Sequence, residues 1–275
     1  MITTVEPVEI ERADDPRIAD YVDLSDPQLR RRVEEHEGFF IAEGPLVVRR
    51  LLSTRHRVRS VLVTARQQIA LADVLDDLDA PVYVVSPEVM HETVGFDLHR
   101  GTVAAADRFV LPSLETVLAG ATRVAMLERV NDHENLGAIF RNAAAFGFDA
   151  VILCPQSSDP LYRRTVRVSI GHVLRVPWTR AEPWPAAIGT VADLGFTVLA
   201  LTPSPDAERI GAVEIAPGEP IAVLVGAEGP GLSPAALAHA HRRVRIPMAA
   251  DVDSLNVAVA AAVAFAHFAR PEVLR

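Results

Sequence analysis

RVAMLERVNDHENLGAIFRNAAAFGFDAVILCP, residues 123–155, runs through an apolar strand, a polar loop, a helix and a second apolar strand. RVAMLERV (123–130) is the first strand, and NDHENLGAIFRNAAAFG (131–147) is a loop followed by a helix that stops at Gly147. Glycine is the residue best suited to the left-handed turn that ends a helix. DAVILCP (149–155) then starts a new strand. Two strands joined through a helix are parallel neighbours, because a parallel pair needs a long crossover.

The same alternation extends in both directions. Downstream, strands are expected at HVLRVPW (172–178), FTVLALTP (196–203), IAVLVG (221–226) and RRVRIP (242–247). Helices are expected over 158–170 and 184–195, after Ser233-Pro234, and from Ser254. Upstream, strands are expected at 58–65, 81–85 and 102–109, with helices at 46–52 and about 67–78. Ser86 followed by Pro87 marks a further helix start, as N-cap and first helical residue. Short apolar strands alternating with helices give an α/β fold with a mostly parallel sheet covered on both faces. The expected division is a smaller N-terminal α/β domain over 1–115 and a larger domain over 122–275. Residues 1–38, ending in Arg30-Arg31-Arg32, read as a short helix plus a mobile terminus over about 1–20.

Composition bounds the function. The chain has 275 residues, 49% hydrophobic and 23% charged, which is the balance of a globular protein. The alanine-rich stretch 257–266 is shorter than the ~18 apolar residues a membrane span needs, and reads as a buried helix. The acidic N-terminus MITTVEPVEIERADD is unlike a signal peptide. The lone Cys154 excludes a disulfide framework and a cysteine zinc site, and suits a reducing cytoplasm. No histidine spacing suggests a metal site.

The net charge of −9 is no footprint of nucleic-acid binding, but charge is uneven along the chain. Residues 45–67 hold six arginines and no acid, and residues 160–180 hold five and no acid. Arg49, Arg50, Arg163 and Arg167 are the candidates for gripping a phosphate backbone. Solvated helix faces are the alternative.

Three segments carry candidate chemistry. Asn135, Gly137 and Arg141 lie at the loop-to-helix junction of 131–147; Asn135 is also a plausible N-cap. Ile139, Phe140 and Phe146 suggest that this helix is buried, so Arg141 needs a partner. Glu128 or Asp132 would serve, and so would a ligand. Gly226-Ala-Glu228-Gly229-Pro-Gly231 is neither a dinucleotide fingerprint nor a P-loop, and an acid inside it is more than a glycine turn requires. Ser254-Leu255-Asn256 opens the last helix, with Asn256 at its second position, a poor place for asparagine unless its side chain bonds something.

Taken together and in order, these segments resemble the three signature motifs of the SpoU/TrmH family of RNA ribose 2′-O-methyltransferases, in the SPOUT superfamily. The first is N-x-G-x-x-x-R at Asn135–Arg141, the second V-G-x-E-G-x-G-L at Val225–Leu232, and the third I-P-M then S-L-N-V within Ile246–Val257. The resemblance spans about 122–270. FFIAEGPLVVRRLL (39–52) also resembles the start of the family's ribosomal-protein-like substrate-binding domain. Two departures are visible: His133 lies where many relatives have a nearby proline, and Ala249 and Ala250 stand where a glycine is common.

The resemblance implies a C-terminal trefoil knot, a homodimer, and S-adenosylmethionine as cofactor. It implies catalytic roles for Arg141, Asn135, Glu228, Ser254 and Asn256. Cofactor contacts would come from Leu201, Thr202, Gly226, Gly231, Ile246, Met248 and Leu255. The expected reaction is methylation of a ribose 2′-hydroxyl in structured RNA, with 23S ribosomal RNA as substrate by analogy. Alternatives are a transfer-RNA ribose methyltransferase, or a non-catalytic RNA-binding protein that keeps the fold.

Overall fold

Residues 6–26, 34, 36–98 and 100–270 are described by a computed structural model, and they divide into two units. The first comprises residues 1–110 together with 161–175, and the second 111–160 together with 176–275.

In the first unit the elements are β1 (Val8–Ile10), β2 (Phe39–Glu43), α1 (Pro45–Leu52), β3 (Val58–Thr64), α2 (Ala65–Ala70), α3 (Ala72–Leu75), β4 (Val82–Val85), α4 (Pro87–Val94) and β5 (Thr102–Asp107). The sheet order is β1-β4-β3-β5-β2. β1, β4 and β3 run parallel, whereas β5 is antiparallel to both β3 and β2. The sheet is therefore mixed. Ser86 caps α4 by accepting from the Val89 amide at 3.2 Å, as its position before Pro87 predicts.

The amino-terminal reading needs correction. Val8–Ile10 is an edge strand in register with Tyr83–Val85, and Pro16–Tyr21 forms a 3-10 helix. A strand of three residues carries too little pattern to distinguish an edge strand from a tail. The Arg30-Arg31-Arg32 run lies outside the described residues. Tyr21 anchors this segment. Its buried hydroxyl lies 2.8 Å from the Ser60 carbonyl and 2.7 Å from the Ser60 hydroxyl, and it accepts from the Ala105 amide at 3.2 Å. Burial pushes its pKa up, so the group stays a neutral phenol.

The second unit begins with α5 (Leu114–Leu118), β6 (Arg123–Leu127), α6 (His133–Ala145) and β7 (Ala150–Leu153). The chain then contributes α7 (Arg163–Val168) to the first unit, where it packs on β2. This differs from the expected division, which places the segment in the larger domain over 122–275. Arg163 explains part of the difference: it pairs with Glu43 at 2.6 Å and stacks over the Phe96 ring. The second unit resumes with β8 (Trp178–Arg180), α8 (Ala186–Asp193), β9 (Thr197–Leu201), β10 (Glu208–Arg209), β11 (Ile221–Val225), α9 (Pro234–Ala238), β12 (Arg242–Arg245) and α10 (Val257–Phe268). A strand was expected from 172, but His172–Leu174 is a 3-10 turn and the strand starts at Trp178.

These seven strands pair in the order β10-β12-β9-β11-β6-β7-β8, every pair parallel. All residues of β6, β7 and β11 are buried, which is why they read as continuous apolar runs. The carboxyl ends of β6 and β11 lie side by side, with Leu127 opposite Val225. In open parallel sheets, that edge is where ligands bind.

Tyr21→Phe should lower stability by about 1–3 kcal/mol, since it strands the buried Ala105 amide. Calorimetric unfolding checks this, and an unchanged Tm would show that the Tyr21 bonds contribute nothing.

Candidate active site

The three sequence segments meet at the carboxyl edge of the second sheet. α6 starts one residue after Asp132, whose carboxylate accepts from the Asn135 amide at 2.8 Å. Asp132 is thus the N-cap, and the Asn135 side chain is left available. Its Nδ2 donates to Glu228 Oε2 at 3.0 Å, and its Oδ1 accepts from Asn256 Nδ2 at 2.9 Å. Asn256 Nδ2 also lies 3.5 Å from Glu228 Oε1. One side chain from each motif therefore closes a polar triangle.

Asn256 has a second task that the sequence reading misplaced. It is the N-cap of α10 rather than its second residue, and its Oδ1 accepts from the amides of Ala258 at 3.0 Å and Val259 at 3.2 Å. Capping uses the oxygen and leaves the amide nitrogen for the triangle. Asn142 ties the two helices together by donating to the Ala258 carbonyl at 3.0 Å.

The glycine loop that carries Glu228 is tight. The Gly231 amide donates to the Ala227 carbonyl at 3.0 Å, and Gly229 and Gly231 have φ of +86° and +66°. A Cβ on Gly226 would lie 2.3 Å from the Gly231 carbonyl carbon and 2.4 Å from the Leu232 amide nitrogen. No side chain fits there.

A cleft of about 160 Å³ opens beside the triangle. Leu201, Thr202, Gly226, Gly231, Ile246, Met248 and Leu255, the seven residues expected to touch a cofactor, all line it, as do Glu228 and Ser254. Its walls are mostly apolar side chains and loop backbone, which suits a flat heterocycle with a polar tail. Val244, Val257 and Ala260 also line it, and no polar signal in the sequence could have marked them.

Arg141 differs from its expectation. It is exposed on α6 and has no hydrogen-bond or ion-pair partner among the described residues. Neither proposed internal partner is available. Asp132 is the cap, and the buried Glu128 carboxylate accepts from Trp184 Nε1 at 3.0 Å, the Ser233 amide at 2.7 Å and the Ser233 hydroxyl at 2.8 Å. The apolar residues around Arg141 in sequence occupy the opposite, buried face of the helix.

The four arginines proposed for phosphate contact all have protein partners. Arg49 forms a forked pair with Asp73, and Arg50 donates to the Ile170 carbonyl. Arg163 and Arg167 share Glu43, at 2.6 and 3.2 Å. By contrast, Arg66 and Arg100 have no side-chain partner among the described residues and line a cavity of about 890 Å³ in the first unit. Counting arginines along the chain could not separate these two groups.

Gly226→Ala should destabilise the protein by about 1–3 kcal/mol through overpacking, whereas Gly229→Ala, with open space around it, should cost only its backbone strain of about 1–2 kcal/mol. Chemical denaturation of both variants measures the order, and a larger loss at Gly229 would contradict the close approach.

Comparison with known proteins agrees with this geometry. The model of the SpoU rRNA Methylase family matches residues 122–266. A relative from Mycobacterium tuberculosis, named as an uncharacterized tRNA/rRNA methyltransferase, is 49% identical over 253 residues, covering 92% of this chain and 88% of its own length. Among solved structures, the AdoMet-bound rRNA methyltransferase of Sinorhizobium meliloti has a TM-score of 0.79 at 24% identity, covering 94% of this chain and 96% of that one. An RNA 2′-O ribose methyltransferase has a TM-score of 0.73 at 24% identity, covering 94% and 97%. These two likenesses speak to the fold. The match over residues 122–266, more than half of the sequence, together with a relative identical at 49% of aligned positions, makes this chain a member of the SpoU rRNA methylase family.

Proposed function

We propose that this protein methylates a ribose 2′-hydroxyl in structured RNA, with ribosomal RNA as substrate and S-adenosylmethionine as methyl donor. The observation that carries the reading is the exposed Arg141, without a partner among the described residues, on the helix whose first turn supplies Asn135 to the polar triangle. S-adenosylmethionine, when bound, supplies a methyl group already activated on a sulfonium. The cleft lined by Gly226, Ile246, Met248 and Leu255 would hold it, and the Sinorhizobium meliloti protein of this fold binds AdoMet.

The chain's remaining task is to orient the hydroxyl and let its proton leave. Arg141 is not the proton acceptor, because a guanidinium stays protonated at any working pH. It grips an RNA phosphate and stabilises the developing alkoxide, while that phosphate or a water accepts the proton. Asn135, Glu228 and Asn256 hold one another, and so fix the start of α6 relative to the cleft. Ser254 lines the cleft with no hydrogen-bond partner among the described residues, and its hydroxyl is available to the ribose or the cofactor.

The protein acts as a homodimer in this reading. Val259 and Val263, one turn apart on α10, are 51% and 40% exposed on a helix otherwise built from alanine, buried apolar residues and His267. A second copy of the chain would cover that face. Val259→Glu together with Val263→Glu should give a monomer in analytical ultracentrifugation. A wild-type monomer at micromolar concentration would remove the dimer from the account.

For the activity, Arg141→Ala should abolish transfer of labelled methyl to unmodified RNA and leave S-adenosylmethionine affinity within about threefold in calorimetry. Lost cofactor binding with retained transfer would overturn the assignment. Label appearing on a base, instead of on a ribose, would overturn the reaction itself.

A further inference from the structure

Arg129 lies in the β6–α6 loop, two residues beyond β6, and takes no part in the polar triangle. It has φ of +53°, a left-handed conformation that long side chains avoid. Its Nε is buried with no acceptor, and no other nitrogen of its guanidinium has a partner among the described residues. A strained backbone and an unsatisfied buried donor on one residue each oppose folding. Backbone strain of this kind clusters at active sites and ligand clamps.

The backbone on either side is locked. The Arg129 amide donates to Cys154 Sγ at 3.0 Å, and the Ser158 amide donates to the Val130 carbonyl at 3.0 Å. The Ser158 hydroxyl also donates to the Asn131 carbonyl. The 154–158 loop is in turn gripped by Arg180, which donates to the carbonyls of Cys154, Pro155 and Ser157 at 3.1, 3.0 and 2.8 Å, and of Ser158 at 2.9 Å. Arg180 thus fixes the 154–158 loop, and that loop in turn holds the backbone of Arg129 and Val130.

The position selects the anion. The Glu128 amide, next to Arg129, donates to the Val225 carbonyl at 2.9 Å, so Arg129 stands at the junction of the β6 and β11 ends. It is nevertheless absent from the lining of the cofactor cleft, which is built from the ends of β9, β11 and β12 and the 246–257 loop. With its amide on Cys154, the residue after β7, it lies on the β7 side of the cleft. Arg141 leaves the same β6–β7 connection. A guanidinium with no partner among the described residues has donors free to match the fork geometry of a phosphate diester.

We propose that Arg129 is a second phosphate-gripping residue, which holds the RNA strand at the carboxyl edge of the sheet while Arg141 serves the target nucleotide. The proposal rests on the methyltransferase reading above. Its test uses Arg129→Gly and Arg129→Asn, the two residues that accept the left-handed backbone most readily. Full-length wild type and variants are compared for binding to unmodified 23S ribosomal RNA across a salt series, for S-adenosylmethionine affinity and for Tm.

Both variants should bind the RNA about tenfold more weakly, with the slope of log affinity against log salt reduced by roughly 0.7–0.9, the signature of one lost phosphate contact. S-adenosylmethionine affinity should not change, and the Asn variant should unfold no earlier than wild type. A purely structural arginine would instead lower Tm and leave the salt slope alone, and that result overturns the proposal. An equal loss of S-adenosylmethionine affinity overturns it too, by assigning the cation to the cofactor. If wild type transfers no methyl to RNA, the functional reading fails separately, because the binding comparison does not depend on turnover.

Discussion

The second unit depends on a contact among three side chains that are far apart in sequence. Asn135, Glu228 and Asn256 close a polar triangle at 3.0, 2.9 and 3.5 Å. Each belongs to a different chain segment, and each segment follows a strand or precedes a helix whose own geometry is satisfied independently. Asp132 caps α6, so Asn135 is not needed there. Asn256 caps α10 through its oxygen alone. The glycine loop closes on itself through the Gly231 amide. Local structure is thereby settled without the atoms that form the triangle, and those atoms can set the relative placement of the three segments.

That arrangement explains how the unit combines a packed cleft with cations that lack partners among the described residues. The cleft walls come from loop backbone and apolar residues that are already packed, so little ordering is left for a ligand to pay for. Arg141 is exposed on α6 without a partner among the described residues. Nearby, Glu128 is consumed by Trp184 and Ser233, and Arg180 by four carbonyls, whereas the Arg129 guanidinium, like that of Arg141, has no partner among the described residues. A site that leaves Arg141 and Arg129 open among neutralised neighbours directs an anion to those cations.

Much of this was legible in the sequence. The continuous apolar runs of β6, β7, β9 and β11 announce a buried parallel sheet, and the spacing of the three motifs brought together the residues that line the cleft. What failed has physical causes. Arg141 was read as buried because its sequence neighbours are apolar, yet on a 3.6-residue repeat those neighbours occupy the other face. Asn256 was placed one position too deep, since a cap and a first-turn residue carry the same polar signal. Val8–Ile10 was missed because an edge strand of three residues has no period to detect. The arginine clusters misled for a different reason: whether a guanidinium meets Asp73, Glu43 or solvent depends on tertiary partners that local composition does not contain.

The central claim is that the three motifs form one site for ribose methylation. A nucleotide-resolution map of 2′-O-methylation, made on RNA from cells with and without this protein, tests it most directly. The account predicts a ribose in ribosomal RNA whose 2′-O-methyl signal is lost without the protein and restored by the wild-type gene. An unchanged ribose map, with a methyl group lost from a base instead, would contradict it.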